Sequence, residues 1–225
     1  MGWYVDAAGY TFGGTVYFTS SGTFEKGDYP GLRAVRVTCV GAGGAGGGAS
    51  ATGAGESSVG AGGGAGAYAE SVIPAASLGA TETVTVGQGG AGVSGDAGGD
   101  GGNSSFGTHV VAEGGKGGGR VANGTTENST NGGAAGLAVN STGAIKISGQ
   151  GGGACLRLST PQASLGGFGG SSLLGGGAQQ IANTGNGADG GLYGGGGGGA
   201  KNGANQAAKT GGDGADGIVI VEVWA

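Results

Sequence analysis

Residues 33–48 read RAVRVTCVGAGGAGGG, an alternating segment that runs straight into a glycine tract. Over 33–40, Val35, Val37 and Cys39 share one side of an extended chain, and Ala34, Arg36, Thr38 and Val40 share the other. This is the pattern of a strand with a core face. From Gly41 onward the side chains nearly vanish. An ordered glycine loses more backbone freedom than any other residue, so a glycine tract persists in a fold only where other backbones pack closely against it. The chain has 225 residues with 67 Gly and 3 Pro, so the junction at residue 41 decides the architecture.

Working outward, residues 14–24 (GTVYFTSSGTF) alternate around a Ser-Ser-Gly turn and predict a hairpin or strand edge. Further strands are expected at 67–73, 82–86, 106–113, 144–148 and, most strongly, 217–224. The segment PAASLGA after Pro74 is long enough for one helical turn only. Between the strands lie glycine-rich tracts at 41–66, 87–102, 114–119, 149–154, 166–177 and 185–217. Collagen needs Gly at every third position and abundant Pro, and the run Gly194–Gly199 violates that period. Flexible linkers are Ser-rich and seldom recur at intervals between strands. Left-handed extended helices of about three residues per turn have no internal hydrogen bonds, so several side by side can bond to one another. The expected fold is therefore all-β: sandwich-like antiparallel sheets with glycine-rich excursions, either loops or packed left-handed polyglycine helices. The first strands and 217–224 are expected to share a sheet, which brings the termini together. Two units are read, a docking segment at 1–12 and a glycine-rich β domain at 13–225.

Composition excludes several functions. Nine basic residues against 14 acidic ones, with no basic cluster, leave a nucleic-acid groove without an electrostatic footprint. No apolar run approaches the length of a membrane span, and no secretion signal is visible at the start. Gly41, Gly43 and Gly46 match dinucleotide-binding spacing, but no amphipathic helix follows. GGDGADGIV at 211–219 fits one copy of a calcium-binding nonapeptide, a motif that needs tandem copies; Asp96, Asp100 and Asp189 are scattered oxygen donors. His109 is the sole histidine, so neither a histidine triad nor a zinc site has a second member. It is expected to pack on a strand. Cys39 and Cys155 either pair or lie buried singly. The sequons at Asn103, Asn123, Asn128 and Asn140 read as polar turns. No catalytic constellation, metal site or cofactor is expected, and the chain is read as a protein other than an enzyme.

Three polar segments interrupt the glycine: 120–131, 178–186 and 201–210. Their amides and hydroxyls suit hydrogen bonding to carbohydrate or to a protein surface, although solvated loops share that composition. Candidate receptor-binding residues are Asn123, Thr125, Asn128, Asn131, Gln180, Asn186, Tyr193, Lys201 and Asn202. Trp3, Tyr4, Tyr10 and Phe12 are candidate docking residues, because aromatic anchors dominate interfaces; edge packing on the chain's own sheet is the plainer alternative.

In order along the chain, FTSSGTFEK, RAVRVTCVGAGGAGGG, AYAESVIPAASLGATETVTVGQGGAG, GNSSFGTHVVAEGGKGG and GGDGADGIVIVEVW resemble the glycine-rich modules of bacteriophage tail proteins. The resemblance implies a minor tail protein, fibre tip or adhesin located in the virion. It implies a homotrimer that contacts other tail proteins and a bacterial cell-surface receptor such as a glycan. With no fibre shaft or coiled coil before the module, it points to a cap, decoration or tip subunit. Packing of left-handed glycine helices into a sandwich is also implied by this analogy. Rival expectations are a calcium-dependent glycine-rich extracellular adhesin and an ice-binding bundle of glycine helices, the latter disfavoured by irregular tracts.

Overall fold

The alternation at 33–40 becomes the centre of a sheet. In the computed structural model, which describes residue 9 and residues 11–159 and 164–225, fourteen strands are joined almost without helix. They are β1 (Phe12–Phe18), β2 (Gly22–Glu25), β3 (Ala34–Val40), β4 (Ser57–Gly60), β5 (Tyr68–Pro74), β6 (Thr81–Thr85) and β7 (Ser104–Phe106). There follow β8 (Val110–Ala112), β9 (Arg120–Gly124), β10 (Asn128–Thr130), β11 (Ile145–Ile147), β12 (Cys155–Arg157), β13 (Lys201–Asn202) and β14 (Ile218–Trp224). The turn after Pro74 is a 3-10 helix at Ala75–Ser77.

A five-stranded antiparallel sheet, β1-β14-β3-β5-β11, faces a four-stranded one, β2-β6-β7-β8, and both are open. Val35, Val37, Cys39, Ala69, Val219, Val221 and Val223 from the first sheet meet Phe24, Val84, Phe106, Val110 and Ala112 from the second in one buried cluster. Phe24 packs edge-on to Phe106 at 5.5 Å and stacks on Tyr29 at 5.0 Å. The fold class is thus the expected all-β sandwich, and β1, β3 and β14 do share a sheet. Thr11 and Ala225 exchange backbone hydrogen bonds, which brings the first described strand beside the last.

One expectation is narrowed and one is corrected. Of the two alternatives for residues 14–24, the hairpin is not formed and the strand edge is: β1 pairs only with β14 and β2 only with β6, each at the edge of its sheet, so the Ser-Ser-Gly turn carries the chain from one sheet to the other. The segment 106–113 is not one strand. It breaks at a turn where Gly107 has φ +51°, and His109 lies in that turn with Nε2 3.4 Å from Glu82.

The glycine tracts extend the strands outward from the sandwich as rods. Rod 41–49 continues β3, and its N–H groups follow a three-residue period. Gly41, Gly44 and Gly47 donate to Ala67, Gly64 and Ala61; Ala42, Ala45 and Gly48 donate to Gly102, Gly99 and Asp96; Gly43, Gly46 and Ala49 donate to Ala215, Gly212 and Lys209. Its carbonyls accept from Gly90, Gly115, Gly118, Gly197 and Ala200 on three further rods. One rod is therefore enclosed by six. The same pattern surrounds 60–67 and 194–200, and all three stretches are buried throughout. A chain with three residues per turn and no internal bonds presents N–H and C=O in every direction around its axis, and hexagonal packing satisfies them. In these three rods only Gly194, at a junction, has a positive φ (+79°), which makes the helices left-handed, since the mirror form requires positive φ. At about 3.1 Å per residue, nine residues carry the chain about 28 Å from the sandwich.

Candidate functional site

The rods alternate in direction between the sandwich and a far end, and the far end gathers the polar loops. There β13-β4-β9 form a small sheet and β10 pairs with β12, over a second buried cluster of Val59, Ala61, Val121 and Cys155. β9 and β10 lie in segment 120–131 and β13 begins segment 201–210. A bridge between Gly185 and Lys201 ties segment 178–186 to the same place. Three segments far apart in sequence thus meet at one tip.

Arg157 holds the first of them. Only 5% exposed, it donates from Nε to the carbonyl of Thr126 at 2.7 Å and from Nη1 to the carbonyl of Ala122. Asn123, Thr125, Asn128 and Asn131 are consequently displayed on a loop pinned from beneath, and all four are exposed. Asn123 Nδ2 donates to Glu56 at 2.9 Å. That bond, with a second from the Gly53 N–H, lowers the Glu56 carboxyl below its ordinary range. Gln180 is exposed at the base of the second segment, its Nε2 donating to the carbonyl of Gly166.

The remaining candidates differ in burial or in place. Lys201 and Asn202 are 3% and 0% exposed, so they are wall and not surface. Lys201 Nζ donates to Ala182 O at 2.7 Å, and Asn202 Nδ2 donates to Ser50 O and Ala207 O. Burial lowers the Lys201 ammonium below its usual range. Tyr193 is half-buried at the opposite, sandwich end, where its carbonyl accepts from Ser172 Oγ and the adjoining Gly194 abuts Val40. Of the docking residues, Phe12 packs edge-on against Trp224 at 5.4 Å, which is the edge-packing alternative. Trp3, Tyr4 and Tyr10 lie outside the described residues.

Asn186 belongs to a device that sequence reading missed. Outer rods lack a neighbour on one side, and there side-chain oxygens spaced three residues apart replace the absent carbonyls. Asp100 and Asn103 accept from the Gly117 and Gly114 N–H groups; Asp213 and Asp216 accept from Gly92 and Gly89; Asn186 and Asp189 accept from Thr210 and Asp213. The signal was the pattern Asx-Gly-(Gly/Ala)-Asx in DGGN, NGAD and DGAD, whose spacing equals one turn of the rod. The calcium-like motif at 211–219 contributes Asp213 and Asp216 to these ladders. No group of three or more potential metal ligands occurs among the described residues. Gly41, Gly43 and Gly46, the dinucleotide-like triplet, are buried in the rod where a phosphate has no access. Cys39 and Cys155 are both free and buried, in clusters at opposite ends.

The rods, the strands they continue and the order of the blocks define a glycine-rich module. The chain belongs to the family described as glycine-rich domain, whose profile matches residues 19–224. A comparison with curated proteins found no match. No helix among the described residues is long and apolar enough to cross a membrane.

Proposed function

We propose that the protein is a structural component of a phage tail tip or fibre that contributes to host-surface recognition. The observation supporting this reading is the convergence of segments 120–131, 178–186 and 201–210 on one end of a hydrogen-bonded rod bundle. Loops presented by a firmly bonded scaffold are the usual place for recognition, since the scaffold meets the ordering cost and the loops vary freely. The opposite end offers a surface suited to docking on other tail proteins: Leu173, Leu174 and Leu192 are 54%, 45% and 63% exposed on adjacent turns there. On this reading the chain is a virion protein, homotrimeric in its assembly, whose tip meets a bacterial cell-surface receptor. It performs no catalysis.

The test is a pull-down of purified protein with whole host cells, run beside mass spectrometry of purified virions and light scattering of the free chain. Host-specific sedimentation that is lost when 120–131 is replaced by a short glycine-serine turn is the expected result. A protein absent from virions and indifferent to cells would overturn the reading.

A further inference from the structure

Two unusual features of the described residues coincide in the six residues 201–206. A recess of about 300 Å³ opens there, lined by Asn183, Thr184, Lys201, Gly203, Ala204 and Gln206 among others. Within the same loop Asn205 is the sole non-glycine residue with a positive φ (+55°) among the described residues. Asn tolerates this conformation better than most residues, yet it is held here between two lining residues by a hydrogen bond from its N–H to Gly53 O at 3.1 Å.

The recess is braced on both sides. Gly203 N–H donates to Thr184 Oγ1 at 3.0 Å, Lys201 Nζ donates to Ala182 O across the gap, and Gln206 N–H donates to Thr52 Oγ1 at 3.1 Å. Its volume is at the lower limit of small-molecule sites. Its lining includes no aromatic or large aliphatic side chain, which removes apolar ligands and stacked bases. The remaining chemistry is two carboxamides, one hydroxyl and backbone groups, which both donate and accept, together with the Lys201 ammonium, which donates and already bonds Ala182 O. A compact polyhydroxylated ligand matches that set, because each of its hydroxyls also donates and accepts.

We infer that this recess is a binding site for a single sugar unit of a surface polysaccharide, with Asn183 and Gln206 as its principal hydrogen-bonding side chains. The inference rests on the host-recognition reading for its biological setting, though not for its chemistry. The test titrates the full-length, isotope-labelled chain with a panel of free monosaccharides at about 10 mM, a level that detects millimolar dissociation constants. The panel holds a hexose, an N-acetylhexosamine, a 6-deoxyhexose and a uronic acid, with inorganic phosphate as the comparison. The expected result is saturable movement of the amides at 182–184 and 203–206 by at least one sugar, weakened at least tenfold in Asn183→Ala and Gln206→Ala. Both side chains are solvent-facing, so these variants keep the fold. Movement by phosphate and by no sugar would overturn the inference in favour of an anion site. Absence of movement, or movement unaffected by both variants, would overturn it outright. Cell binding without sugar binding would sink the recess and leave the recognition reading standing, and sugar binding without cell binding would do the reverse.

Discussion

At Gly43 a methyl group would sit 2.0 Å from the carbonyl oxygen of Gly195, and at Gly46 one would sit 1.9 Å from that of Gly198. Both obstacles are backbone atoms of a rod enclosed by others, so neither can yield without breaking hydrogen bonds. Gly43→Ala is expected to cost about 3 kcal/mol, at the upper end of overpacking effects, as a fall in the chemical denaturation midpoint. Gly176 has nothing within 4 Å of the same position, so Gly176→Ala is expected to stay within about 0.5 kcal/mol of the parent. This contrast separates packed glycine from glycine that merely fills a loop. The cysteines give a second expectation. Burial pushes the Cys39 thiol up to about 12 and raises Cys155 as well. Thiolate is the reactive form, so a disulfide-exchange reagent at pH 8 is expected to label neither residue until denaturant is added.

The rods are the elements that distinguish this chain from an ordinary sandwich. Their N–H groups are bonded as completely as those of a strand, with the difference that successive groups reach three neighbours and not one or two. Amides of 41–49, 60–67 and 194–200 are therefore expected to resist hydrogen exchange as strongly as β3, while those of 125–127 exchange rapidly. Rapid exchange along the rods would show the tracts to be loops. Two aspartates on the rods, Asp100 and Asp96, give the bundle an acid limit. A backbone hydrogen bond from Gly117 lowers the Asp100 carboxyl, reinforced by Lys116, and one from Ala97, with Arg120, lowers Asp96. A carboxyl depressed in the folded state stabilises the fold above its unfolded pKa of about 3.9, and that contribution is lost as pH falls through the folded value. Thermal melts are expected to be flat from pH 7 to about 5 and to decline below about pH 4. The Asp100→Asn variant, which keeps the acceptor oxygen and removes the charge, should flatten part of that decline.

For the whole molecule, separation of the two ends predicts separable effects. Asn128 and Asn131 are exposed at the tip and touch neither apolar cluster. On the proposed host-recognition reading, changing both to Ala is expected to reduce cell sedimentation severalfold while leaving stability within about 0.5 kcal/mol of the parent. Phe106 lies in the sandwich and is 0% exposed. Phe106→Ala is expected to behave oppositely: about 3–5 kcal/mol of stability lost, and no change in binding by the protein that remains folded.

The strands were legible because a half-buried strand writes its period into consecutive residues. The alternation of Val35, Val37 and Cys39, and the run 218–224, needed no knowledge of their neighbours. Composition posed the glycine question and left loops and packed helices both open, because a glycine tract is ordered only where other backbones pack against it. Which rod lies beside which was decided only in three dimensions. A helix with three residues per turn bonds to up to six partners, and rod 41–49 draws its partners from segments between residues 61 and 215. No local pattern encodes such a list. For the same reason Lys201 and Asn202 read as loop residues yet are buried, and Tyr193 is grouped by composition with the tip yet lies at the other end. Side-chain type is a local property, whereas exposure depends on what the remote rods bring alongside.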